Sequence, residues 1–396
     1  MQIAVVRARA TMATLTLVAL AGVALTTAPG AEAKPKKKKA AVAKVMTRNL
    51  FLGADLSPAL NAGSISEFIP ANGEILNEVD LTAFRTRSRA IADEIKRTKP
   101  QFVGLQEVAL WREDPVASLA PVFPPGGGPP QPRATIVRED FLDLLMARLN
   151  RGEKRYRVAV VQKEFDFEAP GDENGVPDDG EITGIPIPEV DDAELNGRLT
   201  MRDAILVKKS KRVKFRKPTG GNFANLLEVT VGGVVTIPVT RGWTQVEAKV
   251  GRGPWFTFTN THFEAFDDET QTPSIRQLQA REIGQPGGYA ESNRPTVLVG
   301  DLNSDDDSVA EDDQKAFDEL TSHGWVSRST EDPMSCCVND LFSAPASQFD
   351  HHIDHVLTSS PGKVKLLASS VTGRAQVGGI YPSDHAGVFS KLRIKP

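Results

Sequence analysis

Short apolar runs that end in a polar residue recur along the chain. One of them, residues 296–300, leads directly into Asp301, Leu302 and Asn303. Because successive side chains of a strand point to opposite faces, Asp301 and Asn303 would point the same way if the strand geometry continued through them. Asp, Asn and Ser also form turns, so the same residues suit a strand that stops in solvent. This run alone does not decide between a functional strand end and a plain turn.

The spacing of apolar residues predicts a mixed α/β domain. Asp80 suits the N-cap of a helix that continues to about Lys99, and Pro100 would stop it. Further helices are predicted over residues 141–150, 274–284 and 314–323. Strands are predicted over residues 45–49, 102–106, 157–161, 204–207, 226–231, 234–239, 244–250, 255–261, 296–300, 353–358, 364–371 and 386–394. Many strands with helices between them, and no internal repeat, indicate one domain of packed sheets covered by helices.

The first 44 residues do not follow this pattern. Arg7 and Arg9 precede an apolar run over residues 13–27, and residues 31–33 form an A-x-A cleavage pattern. These features predict a secretory signal peptide over residues 1–33; the run is short for a membrane span, and an uncleaved anchor is the alternative. Residues 34–44 hold six lysines and predict a basic disordered leader. Residues 45–396 would then form the folded domain of a secreted, monomeric protein without stable membrane insertion.

The charge of the folded part differs from that of the N-terminal segment. The chain has 47 basic and 51 acidic residues, and residues 1–44 hold eight of the basic residues and one acidic residue. Residues 45–396 therefore carry a net charge of −11. That charge disfavours general attraction to nucleic acid, although a basic or metal-filled site would still permit a nuclease.

The two cysteines, Cys336 and Cys337, are adjacent in the sequence. An exported chain meets oxidising conditions, and either a vicinal disulfide or two thiols fits this pair. In neither case does the fold rest on a disulfide framework.

Polar side chains stand at the ends of many predicted strands. Asn49 follows KVMTR, Glu107 follows QFVGLQ, His262 follows WFTFTNT, Asp301 and Asn303 follow TVLVG, Asp354 lies in HIDHVL, and Asp384 and His385 lie in YPSDH. Each residue alone has an ordinary explanation, such as a satisfied core histidine or a turn cap. Strand ends in layered sheets converge on a crevice where ligands bind, so the recurring oxygen donors and two histidines together indicate a functional site.

The ordered motifs Asn49, LQE, NTHF, GDLN, IDH and SDH resemble the metal-dependent endonuclease/exonuclease/phosphatase family over residues 45–394. The segments near 110–135 and 165–200 look like insertions, and residues 165–199 are predicted to be an acidic loop. The resemblance implies two packed, mainly antiparallel β-sheets flanked by helices, the four-layer sandwich of deoxyribonuclease I. It also implies hydrolysis of phosphoesters. The segment SCCVNDLF looks like an element of some secreted bacterial members.

The resemblance also implies how the oxygen donors act. Glu107 would bind a divalent ion, with Asn49 beside it and Asp384 as a further ligand. These hard oxygen ligands favour Mg²⁺ or Mn²⁺ over zinc. Asp301 would orient or deprotonate the attacking water, and Asn303 would hold the phosphate.

The histidines and one arginine complete the implied site. His262 and His385 would donate to phosphate oxygens, and Asp354 would fix the ring of His385 and favour its charged form. Arg202, in MRDAIL, matches a family segment in which an arginine contacts the phosphate. The alternative for Arg202 is an ion pair with the acidic insertion.

A rival metal site uses three other histidines, His351, His352 and His355. His351 and His355 have the i,i+4 spacing of helical zinc ligands. The apolar residues around them suit a strand instead, in which these histidines would not converge. Zinc is therefore the less favoured metal.

Three functions compete. The first is a secreted nuclease that acts on DNA or RNA, and this is the prediction. The second is an enzyme of the phospholipase C or sphingomyelinase type, or a small-molecule phosphatase. Trp255 and Phe256 lie in a predicted strand, so no clear aromatic membrane-inserting loop is seen. The third is a catalytically inactive surface-binding protein that uses the lysine leader, and the full set of acids and histidines argues against it.

Overall fold

The computed structural model describes residues 39–122, 131–175, 193–233, 235–266, 272–306, 314–330, 333–360 and 362–396. The predicted signal peptide, most of the predicted leader and residues 176–192 of the acidic segment lie outside the described residues. No helix in the described ranges is long and apolar enough to cross a membrane.

The described chain forms strands and helices in alternation. The strands are β1 (Ala41–Asn49), β2 (Phe102–Gln106), β3 (Leu110–Asp114), β4 (Ile136–Asp140), β5 (Tyr156–Gly171), β6 (Leu195–Lys208), β7 (Val213–Asn222), β8 (Leu227–Val231), β9 (Val235–Val239), β10 (Gly242–Val250), β11 (Trp255–His262), β12 (Thr296–Asp301), β13 (Val326–Ser327), β14 (Asp354–Thr358), β15 (Val364–Thr372) and β16 (Gly387–Ile394). The helices are α1 (Ser57–Leu60), α2 (Ile65–Thr82), α3 (Phe84–Thr98), α4 (Phe141–Leu149), α5 (Ile275–Gly284) and α6 (Lys315–Ser322), with a short 3-10 helix at Ala346–Gln348.

Two large sheets carry the fold. The first has the order β15-β16-β1-β2-β6-β3-β4, with β5 also paired to β6, and the second has the order β13-β14-β12-β11-β10-β7. Pairing is antiparallel except between β1 and β2 and between β11 and β12. A separate hairpin joins β8 and β9. The predicted pair of mainly antiparallel sheets is confirmed.

Alternation along the strands packs the sheets and the helices into layers. In β12, Val297 and Val299 lie in the apolar core between the two sheets, whereas Leu298 lies in the core beneath α5 and α6. In β1, Val45 joins the same inter-sheet core, and Met46 joins the core formed with α2, α3 and α4. Burying a side chain of this size contributes about 1.5–3 kcal/mol, so both faces of each sheet stabilise the fold.

The prediction of one helix from Asp80 to Lys99 is wrong. Two helices, α2 and α3, meet at Ala83, whose φ of 38° is left-handed. Asp80 lies inside α2, and the cap of that helix is Ser64, whose hydroxyl accepts a hydrogen bond from the backbone of the first turn. Pro70 lies inside α2 and, as a helix breaker, masked the helical spacing of the sequence.

Two predicted boundaries are also wrong. β1 begins at Ala41, so residues 41–44 belong to the sheet and not to a disordered leader. Three apolar residues, 41–43, precede Lys44 there, and Ala43 is fully buried. The segment 165–199, predicted as a loop, is strand at both ends, because β5 continues to Gly171 and β6 begins at Leu195. Likewise the predicted insertion at 110–135 contains β3.

A basic groove of about 1100 Å³ lies at the end of the sheets where β1 begins and β6 and β10 end. Its described lining contains eight basic residues and no acidic one. The basic residues are Lys39, Lys44, Lys99, Lys208, Lys211, Arg212, Lys214 and Arg252. The polar strand ends singled out in the sequence lie at the opposite end of the sheets.

Candidate active site

Strand direction brings the predicted residues to one edge. Asn49 ends β1 next to the end of its parallel neighbour β2, which Glu107 follows. His262 ends β11 directly opposite Asp301, the end of the parallel strand β12. Asp354 begins the antiparallel strand β14 and faces Asp301 from the other side. The register of the sheets therefore gathers residues that are far apart in the chain.

Asp301 is the centre of this group. Its Oδ2 accepts a hydrogen bond of 2.8 Å from Asn49 Nδ2 and lies 3.6 Å from Nε2 of both His262 and His385. Its Oδ1 accepts a hydrogen bond of 2.9 Å from the backbone N–H of Asn303. Burial raises the pKa of Asp301 to about 6, and His385 offsets part of that rise.

The GDLN stretch is both a strand end and a turn. β12 stops at Asp301, and Asn303 has a φ of 45°, so strand geometry does not continue through it. Because of this turn, the backbone N–H of Asn303 donates to the carboxylate of Asp301. The side-chain Nδ2 of Asn303 donates to the carbonyl of Phe263 at 3.0 Å. Its role as a phosphate ligand stays a prediction.

Glu107 follows β2 of the first sheet and lies near Asp301, with His262 in reach of both carboxylates. Its Oε2 accepts a hydrogen bond of 2.6 Å from the backbone of Leu52, and its Oε1 is 4.0 Å from His262 Nε2. Burial and the nearby carboxylate of Asp384 raise the pKa of Glu107 to about 7. Burial likewise raises the pKa of Asp384.

His385 is held in its charged form. Its Nδ1–H donates to Asp354 Oδ2 at 2.8 Å, as the sequence predicted for this pair. Burial alone would lower the pKa of His385, but the carboxylates of Asp354, Asp301 and Asp384 raise it well above the usual value. An imidazolium with Nε2 directed at Asp301 is thus available as a donor.

His262 has the opposite protonation state. Burial, followed by the nearby charges of Arg241 and His385, lowers its pKa well below the usual value. Arg241 Nη1 lies 3.2 Å from His262 Nδ1, and because an arginine only donates, Nδ1 accepts and Nε2 carries the proton. Arg241 in turn pairs with the buried Glu264 at 3.4 Å. His262 is therefore a neutral imidazole that donates from Nε2.

The oxygen donors fit a divalent ion. Glu107 and Asp384 line one cleft, and Asp301 and Asp354 lie against the ring of His385. Burial is the main cause that raises the pKa of Glu107, Asp301 and Asp384, and the repulsion of a nearby carboxylate adds to the rise in each case. A divalent cation relieves that repulsion, and carboxylate and amide oxygens are ligands of Mg²⁺ and Mn²⁺. Glu107 and Asp384 would hold it.

Asn49 is engaged on both sides of its amide. The Oδ1 accepts a hydrogen bond of 2.8 Å from the backbone of Phe51, while Nδ2 donates to Asp301. In this arrangement Asn49 orients Asp301. Its predicted role as a metal ligand stays a prediction.

Arg202 is not among the described residues that line the cleft. Its Nη2 pairs with Asp140 Oδ1 at 2.7 Å, and its Nε donates to the carbonyl of Val108 at 2.8 Å. Arg241 is the arginine among the described residues that line the cleft. Arg202 supports the chain just after Glu107, and the phosphate contact predicted for it stays a prediction.

Two buried arginines support the site and were missed in the sequence. Arg87 donates to the carbonyls of Leu50 at 2.7 Å and Pro382 at 3.0 Å, and so ties the segment after Asn49 to the segment before Asp384. Arg48 donates to the carbonyl of His385 and pairs with the buried Glu94 at 3.3 Å. The helical spacing of Arg87 with the buried residues of α3 was a usable signal; the site role of Arg48 had none.

Cys336 and Cys337 lie against the catalytic histidine candidate. Their Sγ atoms are placed as a vicinal pair in direct contact. Their Sγ atoms lie 3.5 and 3.8 Å from His385 Nε2. The cysteine pair is thus part of the wall of the site.

The cleft in front of Glu107 and Asp384 has a volume of about 680 Å³. Its described walls combine apolar side chains with acidic residues. The apolar residues are Phe51, Leu52, Ala54, Leu56, Leu81, Met201, Ala265, Phe266, Val338, Leu341 and Phe342, and the acidic ones are Asp55, Glu78, Glu107, Asp340 and Asp384. Leu81, Phe266 and Phe342 are exposed.

The helical zinc site with His351 and His355 is not formed. His351 is half-exposed and turns its Nδ1 to Asp305 at 3.2 Å. His352 and His355 do converge, with ring centres 4.1 Å apart, because β14 begins only at Asp354 and His352 lies before it. The expectation that strand geometry would keep these two histidines apart is wrong.

The site and fold are those of a metal-dependent phosphoesterase class, and comparison with known proteins identifies the family. Residues 61–385 match the Endonuclease/Exonuclease/phosphatase family. The chain belongs to this family, whose members are hydrolytic phosphoesterases. No curated protein matches the chain.

Solved structures with a similar fold share little sequence with this chain. An endonuclease/exonuclease/phosphatase family protein from Bacteroides thetaiotaomicron is 15% identical over 91% of this chain and 97% of that chain, with a TM-score of 0.48. A mannosyl-6-phosphatase from Bacteroides thetaiotaomicron is 16% identical over 88% of this chain and 99% of that chain, with a TM-score of 0.45. Truncated TDP2 from Caenorhabditis elegans is 16% identical over 89% of this chain and 97% of that chain, with a TM-score of 0.42.

Proposed function

We propose that the chain is a secreted, Mg²⁺- or Mn²⁺-dependent phosphodiesterase. The observation that carries this proposal is the convergence on Asp301 Oδ2 of one asparagine amide and the Nε2 atoms of His262 and His385. A base and two donors at such spacing suit the attack of water on a phosphoester. Secretion rests on the sequence of residues 1–33.

Each side chain then has a defined task. Asp301, with a pKa of about 6, accepts the proton of the attacking water at neutral pH, and Asn49 and the backbone of Asn303 hold its carboxylate in place. His262 and His385 donate from Nε2 to the phosphate oxygens as their charge grows. Glu107 and Asp384 would hold a divalent ion, and that ion would neutralise part of the phosphate charge.

Nucleic acid is the substrate predicted from the sequence. A polynucleotide brings a phosphate charge at every nucleotide, and binding proteins meet it with lysine and arginine. The described lining of this cleft has five acidic residues and Arg241 as its one arginine or lysine, while the basic groove lies at the far end of the sheets. The electrostatics of the cleft therefore disfavour a long polyanion.

The apolar rim favours a second candidate substrate, an amphiphilic phosphodiester with a single phosphate. Leu81, Phe266 and Phe342 stand exposed around the mouth and would cover an apolar chain. The acidic residues Asp55 and Asp340 would attract a cationic headgroup such as a quaternary ammonium. A phospholipid with a choline or ethanolamine headgroup combines these properties.

One substrate panel tests both candidates. Purified mature protein, with Mg²⁺ and with EDTA, is given bis(p-nitrophenyl) phosphate, plasmid DNA, RNA and phosphatidylcholine or sphingomyelin in mixed micelles, with Asp301→Asn in parallel. We expect hydrolysis of the chromogenic diester and of a micellar lipid that needs the metal and disappears in the variant. No metal-dependent hydrolysis of any diester would overturn the proposed function, and faster turnover of plasmid or RNA than of lipid would overturn the second candidate.

The rim itself can be tested separately. Phe342→Ser should lower the rate on micellar lipid and leave the rate on bis(p-nitrophenyl) phosphate unchanged, because the small diester does not need the rim. Val377→Ser is the matched control, since Val377 is also exposed but does not line the cleft among its described residues. Equal effects of both substitutions on lipid turnover would show that the exposed apolar residues around the cleft have no specific role in lipid hydrolysis.

A further inference from the structure

We propose that Asp306, His352 and His355 form a second divalent-metal site, suited to zinc, behind the catalytic strand ends. One potential ligand atom of each residue lies within 4.8 Å of the others. The proposal concerns binding and does not depend on the proposed activity. It uses none of the residues assigned above to catalysis or to the Mg²⁺ site.

The first argument is burial without partners. His352 and His355 are 0% and 1% exposed, and their rings lie 4.1 Å apart at their centres. Nε2 of His352 and Nδ1 of His355 have no hydrogen-bond partner within the described structure. Burying a polar group without a partner costs about 1–3 kcal/mol, so two such nitrogens in one place need an explanation. A metal ion bound to them provides one.

The second argument is the fixed tautomer of His355. Its Nε2 lies 2.9 Å from the backbone carbonyl of Ser304, so Nε2 carries the proton and the lone pair is on Nδ1. Metal-bound histidines characteristically donate their other N–H to a carbonyl or carboxylate, which sets the ring and the ligand nitrogen. His355 already has this arrangement.

The third argument is the carboxylate. Asp306 Oδ1 lies 2.8 Å from His352 Nδ1 and pairs with that buried ring. Asp306 is only partly buried, so it offers a path for an ion to reach the two buried rings. Its carboxylate would also compensate part of the charge of a divalent ion.

The donor set indicates the metal. Two imidazole nitrogens and one carboxylate oxygen are ligands of zinc, which is bound by three protein ligands and a fourth group in many sites. Mg²⁺ takes oxygen ligands almost exclusively, so it would not compete well here. The two sites of this chain therefore differ in chemistry: oxygen-rich around Glu107, nitrogen-rich around His352.

The position of the site gives it a structural role. Asp306 follows the GDLN turn that begins at Asp301, and His352 and His355 flank the start of β14, which carries Asp354. An ion bound there would link the turn after the predicted base to the strand that orients His385. Bound zinc should therefore raise the melting temperature.

The test is metal stoichiometry in excess Mg²⁺, which occupies the oxygen-rich site. Metal-free protein is dialysed against buffered zinc with millimolar Mg²⁺, and bound zinc is measured by elemental analysis and by the rise in melting temperature. We expect one zinc per chain in the wild type, and at least about tenfold weaker zinc binding in Asp306→Asn and in His352→Gln.

His351→Gln is the matched control, because His351 neighbours the site in sequence but contacts Asp305 instead. It should bind zinc like the wild type. If His352→Gln does not fold, Asp306→Asn alone tests the proposal, because Asp306 is partly exposed and the substitution keeps the size of its side chain. Less than one zinc per chain in the wild type, or equal binding in wild type and Asp306→Asn, would reduce the cluster to a histidine–aspartate contact and overturn the proposal.

Discussion

One carboxylate oxygen of Asp301 faces the Nε2 atoms of both histidines. A substitution can remove the charge of this side chain and keep its shape. Asp301→Asn keeps the size of the side chain and removes the base. We expect kcat to fall about 10²–10⁴-fold, which is the usual contribution of a general base, with a smaller effect on KM. Stopped assays on a chromogenic diester measure the rate. The melting temperature should stay within a few degrees of the wild type, because the buried negative charge is lost with little change in volume.

The kinetic result for Asp301→Asn is compared with that for Asn303→Ala. The amide of Asn303 donates to Phe263, and its predicted phosphate contact exists before and during reaction, so part of its loss should appear in KM. An Asp301→Asn variant that melts normally and keeps more than about a tenth of the wild-type kcat would return Asp301 to the role of a turn residue.

Arg241 is a second residue with a measurable role. Arg241→Gln leaves Glu264 buried without its cation and removes the donor to His262 Nδ1, so we expect a loss of about 3–5 kcal/mol in the free energy of unfolding. Urea unfolding measures it. Arg216→Gln is the control, because the Arg216–Glu247 pair is half-exposed and should cost no more than about 1 kcal/mol. Equal losses would contradict this account.

The sequence predicts residues whose position follows from a strand. Glu107, His262 and Asp301 stand at the ends of apolar runs, and the structure brings all three together. Arg241 and Arg48 were not predicted, because each is fixed by carbonyls or charges from distant segments that meet only in the folded chain. Contacts between distant segments leave no periodic pattern in the sequence.

At the scale of elements, the junction between α2 and α3 is strained. Ala83 has a φ of 38°, where a residue with a Cβ is disfavoured by about 1–2 kcal/mol. Ala83→Gly should therefore raise the free energy of unfolding by up to about 1 kcal/mol, because glycine adopts this conformation without strain. Thermal unfolding measures the change.

A control distinguishes strain from general tolerance to glycine. Ala90 lies within α3, where the same change to glycine should lower stability by about 1 kcal/mol. Two substitutions of the same kind should thus have opposite signs. A loss of stability in Ala83→Gly would show that contacts of the methyl group outweigh the strain.

Elements were predicted well where the apolar run is continuous. β2, β11 and β12 were recognised because both of their faces are buried and their runs are continuous. α2 was missed because of Pro70, and the start of β1 was missed because its first small apolar residues lie between lysines. In both, tertiary packing of a few apolar side chains outweighs the local signal.

At the scale of the whole molecule, the crowded carboxylates couple stability to pH. Burial raises the pKa of Glu107 from 4.5 to about 7, so the folded state holds this proton more tightly than the unfolded chain does. That contribution to stability is present below about pH 4.5 and is lost as the pH rises through about 7. In metal-free protein, Glu107→Gln should be more stable than the wild type by about 3 kcal/mol at pH 8.

The same comparison at pH 4 should show no gain, because the wild-type carboxyl is then protonated in both states. Unfolding by urea at the two pH values, in EDTA, gives both numbers. Adding Mg²⁺ at pH 8 should stabilise the wild type and leave Glu107→Gln nearly unchanged. A gain that is equal at both pH values would contradict a titrating Glu107.

The position of β1 has a consequence for how the chain folds. β1 lies inside the larger sheet, between β2 and β16, so the first strand of the domain pairs with the last. One edge of β1 therefore has no partner until nearly the whole chain has been synthesised, and contacts of such long range slow folding. An exposed strand edge also invites pairing with other chains, so we expect incompletely folded chains to associate through the open edge of β1.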